Sequence, residues 1–139
     1  MDASGPVVAL TAGHMVSDVT SYGLVLVEPS ATLREAAELM AAAETGALLV
    51  QRHQQPSAIF TERDLVQAIA EGQELDATVE GYATGELVRV EESEPVQRAW
   101  EAMASASTRH VLVDRGGRAV GMVSARDLVR YVTTGATAP

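Results

Sequence analysis

Two stretches of this chain are written in the same order: "IFTERDLVQAI" from Ile59 and "MVSARDLVRYV" from Met122. Asp127 stands 63 residues after Asp64, and the same offset aligns residues 25–72 with 88–135 without a gap, about 18 of 48 positions being identical. Val27 meets Val90, Ala36 meets Ala99, Met40 meets Met103, and the run 63–66 meets 126–129. A gapless repeat of this length requires that both halves adopt one structure, so each can be read once and checked against the other.

"LVLVE" and "LVRVE" have the apolar, β-branched character of short strands. Thr32, three residues before Glu35, has capping-box spacing, and Leu33, Ala36, Ala37, Met40 and Ala43 then recur on one helical face. The second half repeats the face with Val96, Ala99, Trp100, Met103 and Ala106, and Pro95 suits a first helical turn. "ALLVQ" and "HVLVD" read as strands, "RHQQPS" and "RGGR" as turns, and "AIF" and "VGMV" as further strands. A second helix opens at Thr61 or Ser124 and carries Leu65, Val66 and Ile69, matched by Leu128, Val129 and Val132. Each half is therefore strand, helix, strand, strand, helix, and the fold class is α+β. One such unit has too little apolar surface to stand alone, so the two are expected to pack together as one domain. Divided by this pattern, 1–14 is an N-terminal extension, 15–72 and 88–135 are the repeats, 73–87 connects them with a short helical stretch, and 136–139 is a tail.

Composition removes several function classes. There is no cysteine, which excludes disulfides, thiolate zinc sites and thiol nucleophiles. Net charge is −9, and all ten basic residues are arginine, so nonspecific binding to nucleic acid or an anionic membrane is not expected, although one arginine can meet one phosphate locally. The apolar run 7–10 is too short for a signal peptide or a membrane span, and the chain is expected to be cytoplasmic. His14, His53 and His110 lack metal-site spacing, no phosphate-binding glycine loop is present, and no nucleophile, base and orienting group can be assembled, so no enzyme is expected.

The duplicated pattern with T/S-x-x-D opening each last helix resembles a tandem pair of cystathionine-β-synthase (CBS) domains, a Bateman module, over residues 15–135. The resemblance implies two βαββα repeats packed sheet to sheet with pseudo-twofold symmetry. It also implies two clefts between the repeats that take an adenosine-containing ligand, AMP, ADP, ATP or S-adenosylmethionine, with no cofactor required. It implies a regulatory module acting on a separate protein the sequence does not name, and a homodimer. Residue by residue, Asp64 and Asp127 match the acid that accepts ribose hydroxyls, and Thr61 and Ser124 the hydroxyl near the phosphates. Arg109 matches a basic residue facing the phosphate, with His110 beside it. Residues 22–24 and 85–87 would flank the adenine. Ala58 replaces the glycine found at Gly121, and Gly46 and Ala47 replace Arg109 and His110, so unequal sites are expected. From the residues alone, Thr61 with Asp64 and Ser124 with Asp127 are also readable as capping boxes, which leaves open as the alternative a structural homodimerisation protein with empty or degenerate clefts.

Overall fold

The computed structural model describes residues 14–134. The N-terminal extension up to residue 13, its apolar run included, and the C-terminal tail lie outside them. Among the described residues seven strands and four α-helices follow in order: β1 (Ser21–Tyr22), β2 (Leu26–Val27), α1 (Leu33–Ala43), β3 (Ala47–Arg52), β4 (Gln55–Thr61), α2 (Glu62–Ala70), β5 (Arg89–Glu91), α3 (Gln97–Ala106), β6 (His110–Arg115), β7 (Arg118–Ser124) and α4 (Ala125–Thr134). Single 3₁₀ turns occupy Val16–Asp18 and Val79–Gly81. The second of these is the short helical stretch expected in the connecting segment.

The chain forms two compact units: residues 24–87, and residues 14–23 together with 88–134. In the first, β2 runs parallel to β3 and β3 antiparallel to β4. In the second, β5 runs parallel to β6 and β6 antiparallel to β7, and β1 adds a fourth strand to the free edge of β7. A parallel neighbour needs a crossover, which α1 and α3 supply. The strand, helix, strand, strand, helix order read from the sequence is therefore present twice.

Each unit is completed by the segment that precedes the other unit's repeat. The Val16 N–H donates to the Glu94 carbonyl (2.8 Å) and the Val96 N–H to the His14 carbonyl (3.0 Å). At the same offset of 63, the Val79 N–H donates to the Ala31 carbonyl (2.9 Å) and the Leu33 N–H to the Ala77 carbonyl (2.8 Å). Val16 and Val79 are both fully buried, one in each core. The repeat thus extends about ten residues before the point at which identity becomes obvious, with Val16 and Val79 as its trace in the sequence.

Leu33, Ala36 and Met40 of α1 pack on Leu48, Val50 and Phe60. Their counterparts Val96, Ala99 and Met103 pack on Val111, Val113 and Val123. Burying a side chain of this size stabilises by about 1.5–3 kcal/mol before entropic costs. The apolar stripes are narrower than the sequence suggests: Ala43 and Ala106 are exposed, and Trp100 is half-exposed. Pro95 lies ahead of α3, where it bridges to Met15, because Val96 and not Pro95 precedes the first helical residue. On α2 Ala68 is fully buried and Leu65 packs beside it, and on α4 Leu128 is buried, while Val66, Ile69 and Val129 face solvent.

The hairpin turns are tighter than "RHQQPS" implies. β3 and β4 are joined by His53 and Gln54 alone, with φ of 52° and 66°. The matching turn is Gly116–Gly117, with φ of 61° and 81°. A two-residue hairpin needs left-handed backbone at both positions, which glycine adopts freely and a β-carbon opposes. Gly121 has a different reason to lack a side chain: a β-carbon there would lie 2.5 Å from the Ser21 carbonyl oxygen, because β1 runs against β7. At the equivalent place Ala58 packs against its core, next to Ile59, which pairs with Thr84.

The acids Glu91, Glu92 and Glu94 anchor this second unit by hydrogen bonding. Glu91 accepts from the N–H groups of Gly116 and Gly117 (both 2.9 Å), and Glu94 from the Glu91 N–H (2.8 Å). Glu92 accepts from the Tyr22 hydroxyl (2.6 Å) and pairs with Arg115, which lies over the Tyr22 ring. The Arg115 hydrogen bond and then that of Tyr22 hold the Glu92 carboxyl below its ordinary range, and the same bond to Glu92 raises the Tyr22 phenol.

Replacing Gln54 with glycine is expected to stabilise the protein by about 0.5–1 kcal/mol in urea unfolding, since the turn already has the left-handed geometry. A carboxylate whose folded pKa is depressed contributes stability above its unfolded pKa of about 4.3, lost as pH falls through the folded value. Glu92→Gln is therefore expected to lower the melting temperature at pH 7 and to narrow its gap from wild type as pH drops below about 4.

Candidate functional site

The best-defined polar constellations are two corners where the last strand of each repeat passes into its last helix. In the first unit β4 ends at Thr61, opposite Ala47 on β3. Thr61 has extended backbone, so its side chain turns back over the helix start and its hydroxyl oxygen accepts the Asp64 N–H (3.3 Å). Asp64 Oδ2 in return accepts the Thr61 N–H (2.8 Å) and the Thr61 hydroxyl (3.1 Å). In the second unit Ser124 stands opposite His110 on β6. Its hydroxyl oxygen accepts the Asp127 N–H (3.0 Å), and Asp127 Oδ2 accepts the Ser124 N–H (2.9 Å). All four side chains are half-buried.

Both corners are thus reciprocal capping boxes, with Asp in the place usually taken by Glu. The shorter Asp keeps its carboxylate close to the strand end, and Oδ1 is left out of the cap bonds of both residues. A carboxylate oxygen can accept two hydrogen bonds, so a cap of this kind retains acceptor capacity for a vicinal diol. The cap and a ligand contact are compatible uses of one side chain.

The two corners share a backbone and differ in charge. The Ala125 N–H donates to the Arg109 carbonyl (2.8 Å), as the Glu62 N–H does to the Gly46 carbonyl (3.0 Å). Thr108 and Thr45 each brace the following strand through a hydroxyl that accepts the N–H of His110 or Ala47 (both 3.3 Å). Arg109, His110, Ser124 and Asp127 are therefore brought to one corner, with Arg109 exposed and His110 half-buried. Thr61 and Asp64 share theirs with Gly46 and Glu62. Gly46 leaves room for the Glu62 carboxylate: a β-carbon on Gly46 would lie 2.5 Å from Glu62 Oε1. The first corner consequently carries a carboxylate over the position from which the second extends the Arg109 side chain.

Sequence reading identified the missing arginine but not the acid that takes its space. The signal was available as Glu62 aligned with Ala125. Residues 22–24 and 85–87, alike in the sequence, follow like pairings: Ser21 pairs with Met122 in the second unit and, 63 residues further on, Thr84 pairs with Ile59 of the first. Among the described residues no group of three or more histidines and carboxylates is placed to hold a metal ion, and no helix is long and apolar enough to cross a membrane.

A duplicated α+β repeat with a hydroxyl–carboxylate corner in each copy defines a tandem-repeat protein of the CBS type. The CBS domain family model matches residues 16–71 and again 79–134, and the chain belongs to that family. A curated protein of Acidianus ambivalens, described as an uncharacterized 17.7 kDa protein in the bps2 3′ region, is 35% identical over 117 residues, 83% of this chain and 71% of its own length. A CBS domain protein of Pyrobaculum aerophilum, complexed with AMP, superposes with a TM-score of 0.75 at 29% identity, covering 89% of this chain and 99% of that one. The CBS domain pair of the protein MJ0100, in complex with 5′-methylthioadenosine and S-adenosylmethionine, gives a TM-score of 0.76 at 25% identity over 89% of this chain and 98% of its own.

Removing either cap hydroxyl, Thr61→Ala or Ser124→Ala, is expected to cost about 1 kcal/mol of ligand-free stability. Chemical denaturation of the two variants beside wild type measures it.

Proposed function

We propose that this chain is a regulatory module that binds an adenosine-containing ligand, AMP, ADP, ATP or S-adenosylmethionine, at its strand-to-helix corners and works as a homodimer in the cytoplasm. The observation that carries the reading is the duplicated corner, with a half-buried carboxylate and hydroxyl at the start of each last helix on a common backbone. Asp64 and Asp127 would accept the ribose hydroxyls. Thr61 and Ser124 would stand nearest the phosphates, where N–H groups and the positive helix end favour an anion. Family membership supports the reading, as does AMP in the relative from Pyrobaculum aerophilum.

The electrostatic contrast supports unequal sites. A phosphate-bearing ligand is favoured at the corner with Arg109 and His110 and disfavoured at the one where Glu62 fills the space over Gly46. Occupancy transmits a signal only if the ligand prefers one conformation, because equal affinity for both shifts nothing. The receiver is a separate protein.

A second reading, a structural homodimerisation protein, is favoured by one specific observation. Both aspartates already serve as cap partners. Calorimetric titration with AMP, ATP and S-adenosylmethionine separates the two: saturable heat for any of them supports the ligand module, and no heat with no thermal shift for all three leaves only the structural role. For the ligand that binds, Asp127→Ala is expected to reduce affinity at least tenfold, about 1.5–3 kcal/mol. The melting temperature of the ligand-free variant, measured in parallel, reports the separate loss of the cap.

A further inference from the structure

The net charge of this chain is not shared between its units. Residues 24–87 carry eleven acids and three arginines, a net charge of −8, whereas residues 14–23 with 88–134 carry seven of each. The imbalance reaches the two corners. At the second, Arg109 is exposed one residue ahead of β6. At the first, Glu62 is exposed and Asp64 half-buried, and among the described residues no arginine or histidine forms an ion pair with either. Arg63 and Arg126 stand at equivalent positions, so they cancel from the comparison. The Glu62 N–H donates to the Gly46 carbonyl (3.0 Å), and its carboxylate lies over Gly46, where a β-carbon would meet Oε1 at 2.5 Å. The corners thus share a hydroxyl–carboxylate frame and differ in the sign of one side chain beside it.

We infer that Glu62 is a specificity-determining residue: it makes the first corner reject a 5′-phosphate and accept an adenosine compound whose 5′ substituent is positively charged. Among the proposed ligands that chemistry belongs to S-adenosylmethionine, and the corner with Arg109 takes the phosphorylated members. A phosphomonoester carries about −1.5 to −2 at pH 7. Bringing it against Glu62 and Asp64, in a unit of net charge −8, is opposed both at contact range and by the field of the whole unit. A sulfonium is positive at every pH and has no hydrogen to donate, so a carboxylate set beside it complements it without a directional bond. Asp64 and Asp127 would read the ribose diol alike, and opposite 5′ charges are compatible with that common frame. The inference rests on the adenosine-binding reading and adds which ligand charge each corner selects.

Isothermal titration of the full chain tests it with three probes: S-adenosylmethionine, AMP, and S-adenosylhomocysteine, which keeps the skeleton but lacks the methyl group and its sulfonium charge. Asp127→Ala removes the ribose acceptor of the second corner, so titration of that variant reads the first. If circular dichroism shows it unfolded, wild-type protein saturated with AMP is titrated with the two sulfur compounds instead. At low salt S-adenosylmethionine is expected to bind about fivefold tighter than S-adenosylhomocysteine, the scale of one exposed ion pair, with AMP weakest. Adding Glu62→Gln should erase that preference and strengthen AMP, and about 1 M salt should erase it without any substitution. A preference for S-adenosylmethionine that survives Glu62→Gln, or AMP binding the first corner as tightly as S-adenosylmethionine, overturns the role of Glu62 and leaves the adenosine-binding module. No heat from any of the three probes, wild type included, overturns both.

Discussion

The structure depends on the attachment of residues 14–23 and 75–87 to repeats they do not precede. Backbone hydrogen bonds, four of which match in pairs 63 residues apart, and two fully buried valines fasten these segments. A buried N–H or carbonyl without a partner costs free energy comparable to a lost hydrogen bond, so these ends are requirements of the fold. A repeat cut out of the chain together with its own leading segment would keep the piece that serves the other unit and lack the piece that serves itself. The repeats are therefore interdependent in covalent order as well as in kind.

Duplication also explains how the corners came to differ without damage to the fold. What each corner needs structurally is satisfied by backbone groups and by the cap: an N–H to a carbonyl across the turn, a threonine bracing the neighbouring strand, and a hydroxyl–carboxylate exchange at the helix start. None of these uses the side chains at 46, 62, 109 and 125. Charge at those four positions is consequently free to vary, and it has done so in a compensated manner: where the arginine is lost, glycine leaves a space that a glutamate enters.

Local strain follows the same logic of unequal copies. One hairpin has two glycines where left-handed backbone is needed, and the other has His53 and Gln54 in nearly the same conformation. Conversely, Gly121 is required by the backbone of β1 lying against β7, while Ala58 packs on the core of its own unit.

Sequence by itself determined the number of repeats, the order of elements, the buried faces of α1 and α3, and the capping spacing at Thr32, Thr61 and Ser124. These are local properties, set by periodicity and by side chains that bond to backbone three residues away. It did not determine that the aliphatic row of α2 and α4 faces outward, because Leu65 and Val66 are equally apolar and only the position of the sheet decides which is covered. It did not disclose which unit each leading segment joins, or that Glu62 occupies the space over Gly46. Those outcomes belong to the tertiary structure, since they depend on which distant backbones approach one another and on the room left between them.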